Sequence, residues 1–190
     1  MTLQPILHYA HSLMENVITD GDIAVDATCG NGHDTLFLTG LVGEKGHVYG
    51  FDVQEQAITK TEERLKKHLV EERVTLVQDS HSQLTKYISP VHQSQIKGAI
   101  FNLGYLPGSD KTIVTKPAET ISSIEQLLSF LPQGGMIVLV IYYGHAGGKE
   151  EKDALTEYVS SLDQKSFRVL QYGFINQRNT PPFIIAIEKT

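Results

Sequence analysis

A single cysteine, Cys29, in 190 residues excludes an internal disulfide framework and a cysteine-rich zinc site. No stretch approaches the roughly 18 continuous apolar residues of a membrane span. The opening Met1-Thr2-Leu3-Gln4-Pro5-Ile6-Leu7-His8 has neither a basic start nor an apolar secretory core. Positive charge is also scarce. The 16 Lys and Arg face 22 Asp and Glu, for a net charge of −6, which argues against gripping a duplex through a broad cationic face. A small basic patch on one folded RNA is compatible with that balance. Lys60, Arg64, Lys66 and Lys67 either supply it or form the solvated face of a helix. These absences lead us to expect a cytoplasmic protein with no membrane contact. The length suits one domain over residues 1–190 with a sizeable core.

What is present is an alternation of apolar runs and amphipathic stretches. Pro5 to about Met14 reads as an opening helix, an N-terminal extension, with Ile6, Leu7, Ala10, Leu13 and Met14 at helical spacing. Strands are expected at 22–27, 46–52, 74–79, 96–101, 136–141, 167–172 and 183–188. Helices are expected at about 33–41, 54–69, 82–88, 116–131 and 149–162, with Leu69 on the apolar side of the second of these. The pattern predicts an α/β fold: a seven-stranded, mostly parallel sheet with helices on both faces. The last two strands have no helix between them, which implies an antiparallel C-terminal edge hairpin.

Open sheets of this kind bind ligands beyond the carboxyl ends of their strands. Asp26 ends the first strand and leads into Ala27-Thr28-Cys29-Gly30-Asn31-Gly32. Gly30 and Gly32 let the backbone pass close to a ligand, and the helix starting there favours a carboxylate or phosphate. Asp52 ends the second strand, where a carboxylate can accept from both ribose hydroxyls. Asp79 and Ser80 end the third, placed to read the amino edge of adenine. Each acid taken alone can equally cap the next turn. A dinucleotide site wants three close glycines, and Thr28 stands at the first small position. Three separate acids also suit one nucleoside with an amino-acid tail.

The fourth strand runs into Asn102-Leu103-Gly104-Tyr105-Leu106-Pro107-Gly108, either a tight surface turn or a carboxamide and a ring around a small planar or amine-bearing group. Tyr142, Tyr143 and His145 leave the fifth strand on a glycine-rich loop, and rings there suit a splayed, single-stranded base. Arg178 and Asn179 sit on the loop that joins the last two strands. Lys111, Lys116 and Arg178 flank these candidate loops. His33 and His81 are each as compatible with capping a helix as with touching ligand.

The ordered acids and glycines resemble the class I S-adenosylmethionine-dependent methyltransferases, which have a Rossmann-like fold. Four stretches together, 26–34, 102–108, 141–148 and 176–183, are similar to a small bacterial family. That family was long labelled rRNA methylase and is now associated with a tRNA wobble-uridine methyltransferase. The resemblance implies methyl transfer from S-adenosyl-L-methionine to the aminomethyl nitrogen of wobble 5-aminomethyl-(2-thio)uridine. The product cofactor is S-adenosyl-L-homocysteine, and no metal is required. It implies a tRNA anticodon loop as partner and leaves a homodimer open. On the donor side it implies Asp26, Thr28, Gly30, Asn31, Gly32, Asp34, Asp52, Gln54, Asp79, Ser80, His81 and Asn102. On the acceptor side it implies Leu103, Tyr105, Pro107, Tyr142, Tyr143, His145, Arg178 and Asn179. Asn102, His145 and Tyr142 are the candidates for the chemistry itself, Asn102 to orient the amine and His145 to accept a proton or contact the base. Ribosomal RNA or a small amine is the alternative acceptor. A non-catalytic module that senses the cofactor is a third reading.

Overall fold

A computed structural model describes residues 2–105, 108 and 113–190. The expectations for Pro107 and Lys111 lie outside the described residues. Seven strands form one sheet: β1 (Ile23–Asp26), β2 (His47–Asp52), β3 (Val74–Gln78), β4 (Ile96–Leu103), β5 (Met136–Ile141), β6 (Phe167–Tyr172) and β7 (Phe183–Lys189). Their order is β3-β2-β1-β4-β5-β7-β6. Strands β1 to β5 pair in parallel, and β7 runs antiparallel to both β5 and β6. The chain therefore winds outward from β1 in one direction and from β4 in the other. The crevice between the ends of β1 and β4 is the topological switch point, where folds of this class hold ligands.

Side chains alternate across the sheet with period two and feed two cores. On one face Ala24, Val48, Ile100, Val138 and Val140 pack with α1 (Ile6–Glu15) and α2 (His33–Val42). On the other, Val25, Ala99, Phe101, Leu139 and Ile185 pack with α4 (Leu84–Tyr87), α6 (Pro117–Phe130) and α7 (Gly148–Ser160). Helix α3 (Glu55–Lys67) lies against β2, β3 and α2. The short α5 (Pro90–Gln93) was not anticipated; Ser89 caps it and Pro90 opens it.

Most boundaries shift by a residue or two, and two of the shifts are informative. Helix α3 stops at Lys67, and Leu69 lies beyond it with φ +57 and 84% exposure, so its side chain belongs to no core. Strand β4 continues through Asn102 and Leu103, because β5 extends alongside and pairs Asn102 with Val140. No helix among the described residues is long and apolar enough to cross a membrane.

Candidate active site

The turn after β1 is built by short hydrogen bonds. Asp26 is fully buried; its carboxylate accepts from the Thr28 N–H at 3.2 Å and the Thr35 hydroxyl at 2.6 Å. Burial, reinforced by the negative charge of Asp34, pushes the Asp26 carboxyl up to about 7. The role visible for Asp26 is therefore to shape the turn from behind. Gly30 and Gly32 have φ of +54 and +78, which a side chain would strain. A Cβ at Gly32 would also stand 2.9 Å from Thr61 Cα, so α2 can begin here only on glycine. Cys29 is buried with its thiol pushed well up, and a Cβ on Gly50 would meet its Sγ at 2.8 Å. It is an inert packing group.

Helix α3 clasps the turn from outside. Arg64 Nε donates to the Asn31 carbonyl at 2.8 Å, its Nη2 lies 3.1 Å from His33 Nε2, and the Thr61 hydroxyl donates to the Gly30 carbonyl at 3.3 Å. Asp52, at the end of β2, accepts from the N–H groups of Gly30 and Gln54, both at 3.0 Å. Burial raises its carboxyl while these bonds lower it. Beyond β3, Asp79 accepts from the Tyr87 hydroxyl at 2.6 Å and the Ser80 N–H at 2.7 Å. Those bonds, with the Tyr87 bond foremost, hold Asp79 below the usual carboxylate range. Ser80 caps the following turn and donates to Glu119 at 2.9 Å. His81 Nδ1 donates to the Ala27 carbonyl at 3.1 Å, and burial disfavours the ring's charged form and lowers its pKa. Two buried acceptors beside the turn, Asn31 Oδ1 and His81 Nε2, have no hydrogen-bond partner among the described residues.

Across the switch point, the Asn102 N–H donates to the Thr28 hydroxyl at 2.7 Å, tying the end of β4 to the turn after β1. Asn102 has the strand parity of Ile100, so its side chain leaves on the α1/α2 face. There its Nδ2 donates to Asp34 Oδ2. The other Asp34 oxygen lies 2.6 Å from His11 Nε2. His11 belongs to α1, and the sequence reading missed it. The one available signal was an imidazole beside the buried Ala10, Leu13 and Met14, a polar group that needs a partner.

The acceptor-side residues divide. Tyr142 is 37% exposed, its N–H donates to the Leu103 carbonyl at 3.0 Å, and partial burial of the hydroxyl together with Asp34 raises the hydroxyl's pKa. The His145 ring meets the Tyr105 ring edge to face at 5.7 Å, and its buried Nε2 has no partner among the described residues. Leu103 was expected to face substrate, but strand alternation turns it into the core at 0% exposure. Tyr143 also packs inward, edge-on to Phe183 with Lys152 Nζ 4.9 Å above its ring. Arg178 and Asn179 are exposed on the β6–β7 loop. That loop leans on the His145 loop, since a Cβ at Gly144 would fall 2.4 Å from Thr180 Oγ1. Asn179 and Thr180 both carry positive φ, 64 and 51. A β-branched residue in that region is strained.

A family model described as "Putative rRNA methylase" matches residues 48–188. The chain is 34% identical over 188 residues to an Arabidopsis thaliana protein named tRNA (mnm(5)s(2)U34)-methyltransferase, chloroplastic, covering 95% of this chain and 68% of that one. A Clostridium thermocellum crystal structure described as an rRNA-methylase of the same kind is 44% identical and superposes with a TM-score of 0.95 over 100% of both chains. A Streptococcus mutans methyltransferase solved in complex with SAH is 42% identical, with a TM-score of 0.89 over 99% of both chains.

Proposed function

This chain belongs to the rRNA methylase family of S-adenosylmethionine-dependent methyltransferases, and from that premise we propose that it methylates the nitrogen of a 5-aminomethyl group on the wobble uridine of tRNA. The observation that carries this reading is the Asn102 carboxamide. Its NH2 is committed to Asp34, which leaves its carbonyl oxygen to accept from an N–H of the incoming amine. The Arabidopsis relative, named for a tRNA nucleoside, supports tRNA as the carrier.

The residues around the turn fit the cofactor. Asn31 Oδ1 and His81 Nε2 are bare buried acceptors, and the ligand offers an ammonium and an adenine amino group. Asp52 would hold the ribose hydroxyls, and the start of α2 at Gly32 would receive the methionyl carboxylate. Asp79 and Ser80 flank the adenine end. When bound, the cofactor supplies an electrophilic methyl on a sulfonium and leaves as S-adenosylhomocysteine.

The remaining work falls to the protein. A free aminomethyl group is protonated in water, and its lone pair must be bare before it can attack. A desolvated pocket lowers that pKa, and Asn102 then aims the lone pair along the line of displacement. A new N–C bond forms as the C–S bond breaks, with the electron pair staying on sulfur. His145, beside Tyr105, is the candidate to take the proton or meet the uracil edge. Tyr142 lines the same mouth, and Arg178 and Asn179 stand where a phosphate or base edge would pass. We read the whole chain as one catalytic unit with α1 as its N-terminal addition.

Purified protein, S-adenosylmethionine and tRNA bearing 5-aminomethyl-2-thiouridine test the proposal by nucleoside mass spectrometry. One added methyl at that nucleoside is expected. No gain there, with methyl found on ribosomal RNA instead, would overturn it in favour of the acceptor in the family's description.

A further inference from the structure

The hydrogen-bond chain behind Asn102 begins on an element that the nucleotide-binding turns do not include. Helix α1 packs on β5 and β7, and from it His11 lays its ring flat on Phe37 of α2, centroids 3.8 Å apart and planes 6° from parallel. That stack aims Nε2 at Asp34 Oδ1, 2.6 Å away. Asp34 spends its second oxygen on Asn102 Nδ2. Donor and acceptor roles then follow without freedom. A carboxylate only accepts, so both neighbours must donate. His11 must carry a hydrogen on Nε2, and Asn102 must present its NH2 rather than its oxygen.

We infer that His11 is a positioning residue for methyl transfer, holding Asp34 through Nε2–H so that Asp34 fixes the Asn102 carboxamide with its oxygen toward the acceptor. The side chain of Asp34 is only 11% exposed, so an oxygen deprived of His11 has little water to turn to. A carboxylate held at one oxygen is free to swing, and Asn102 swings with it. A carboxamide turned over would offer N–H to N–H and would repel the acceptor. The loss falls on alignment in the transition state, where small misplacements are costly, and not on cofactor binding. The identity of the acceptor as an amine rests on the reading above, whereas the hydrogen-bond chain from His11 to Asn102 does not.

Two substitutions separate positioning from packing. His11→Phe keeps the stack on Phe37 and removes the donor. His11→Gln returns an N–H donor to nearly the place of Nε2. With premodified tRNA, His11→Phe is expected to lower kcat about 10- to 100-fold. KM for tRNA and the Kd for S-adenosylhomocysteine should stay within about twofold, and His11→Gln should recover most of kcat. An unchanged kcat in His11→Phe, or equal losses in both variants, would overturn the inference. A readout on the unaltered protein stands apart from the stability of either variant. The imidazole nitrogen NMR spectrum should show a hydrogen on His11 Nε2, and an Nδ1–H tautomer would overturn the assignment. If the unaltered protein leaves premodified tRNA unmethylated, the acceptor reading falls, and the nitrogen spectrum still decides His11.

Discussion

Asp52 and Asn102 stand on opposite sides of the same crevice, and their removal should be told apart by which constant moves. Asp52→Ala removes the proposed ribose acceptor and also frees the Gly30 N–H. The Kd for S-adenosylhomocysteine, measured by calorimetry, should rise about 10-fold or more, as for a lost hydrogen bond to a charged group. Asn102→Ala should leave that Kd within a few-fold and lower kcat by about two orders of magnitude. Equal losses in both constants would place Asn102 on the donor side instead. Asp26 makes a prediction in pH. Folding lifts its carboxyl from 3.8 to about 7. Below 3.8 both states hold the proton and nothing is lost. Between the two values the folded state keeps a proton that the unfolded chain releases, so stability falls as pH rises, and it levels above about 7. The melting temperature of the wild type should therefore fall relative to that of Asp26→Asn between about pH 4 and 7. A gap independent of pH would refute the raised carboxyl. Much of the site at this scale is legible in the sequence, because Asp26 and Asp52 each end a strand, Asp79 directly follows one, and the glycines announce the turn. His11 is not, because its partner Asp34 is 23 positions away on another helix and nothing local marks the pair. Leu103 fails for the reverse reason: a motif was read as a loop where the strand's alternation still governs.

The elements were legible wherever periodicity was sustained. The buried run Met136–Ile141 and the two hairpin strands declare themselves, and the antiparallel pairing of the hairpin follows from a connection with no helix. Ends were harder to read. Strand β4 runs two residues past the expected Phe101 because its neighbours support it, a tertiary effect that no window on its own residues contains. Helix α3 ends early because Leu69 adopts a left-handed backbone that the apolar spacing does not report. The contact between the β6–β7 and β5–α7 loops yields a test of its own. Gly144→Ala would drive a methyl into Thr180 Oγ1 and push the Arg178 loop outward. KM for tRNA should rise several-fold, while the Kd for S-adenosylhomocysteine, whose proposed residues lie on other loops, stays unchanged. A variant with normal KM would show that the Arg178 loop takes no part in acceptor binding.

Across the whole molecule the sign of the charge limits how RNA can be held. With a net charge of −6, few phosphates can be neutralised at once, and the cations that flank the candidate loops in sequence are Lys111, Lys116 and Arg178. The logarithm of the tRNA association constant should fall against that of salt with a slope of only about −2, the value for roughly three single-strand phosphates. A slope several times steeper would require a cationic surface that this composition does not supply. On the proposed reading, discrimination then falls to the modified base and its amine. One further consequence concerns motion. Because Arg64 and Thr61 clasp the carbonyls of Asn31 and Gly30, the ligand-facing turn and α3 open together or not at all. A cofactor that quiets the turn should therefore slow amide hydrogen exchange along the inner side of α3, around Ala57, Thr61 and Leu65, at positions it never touches.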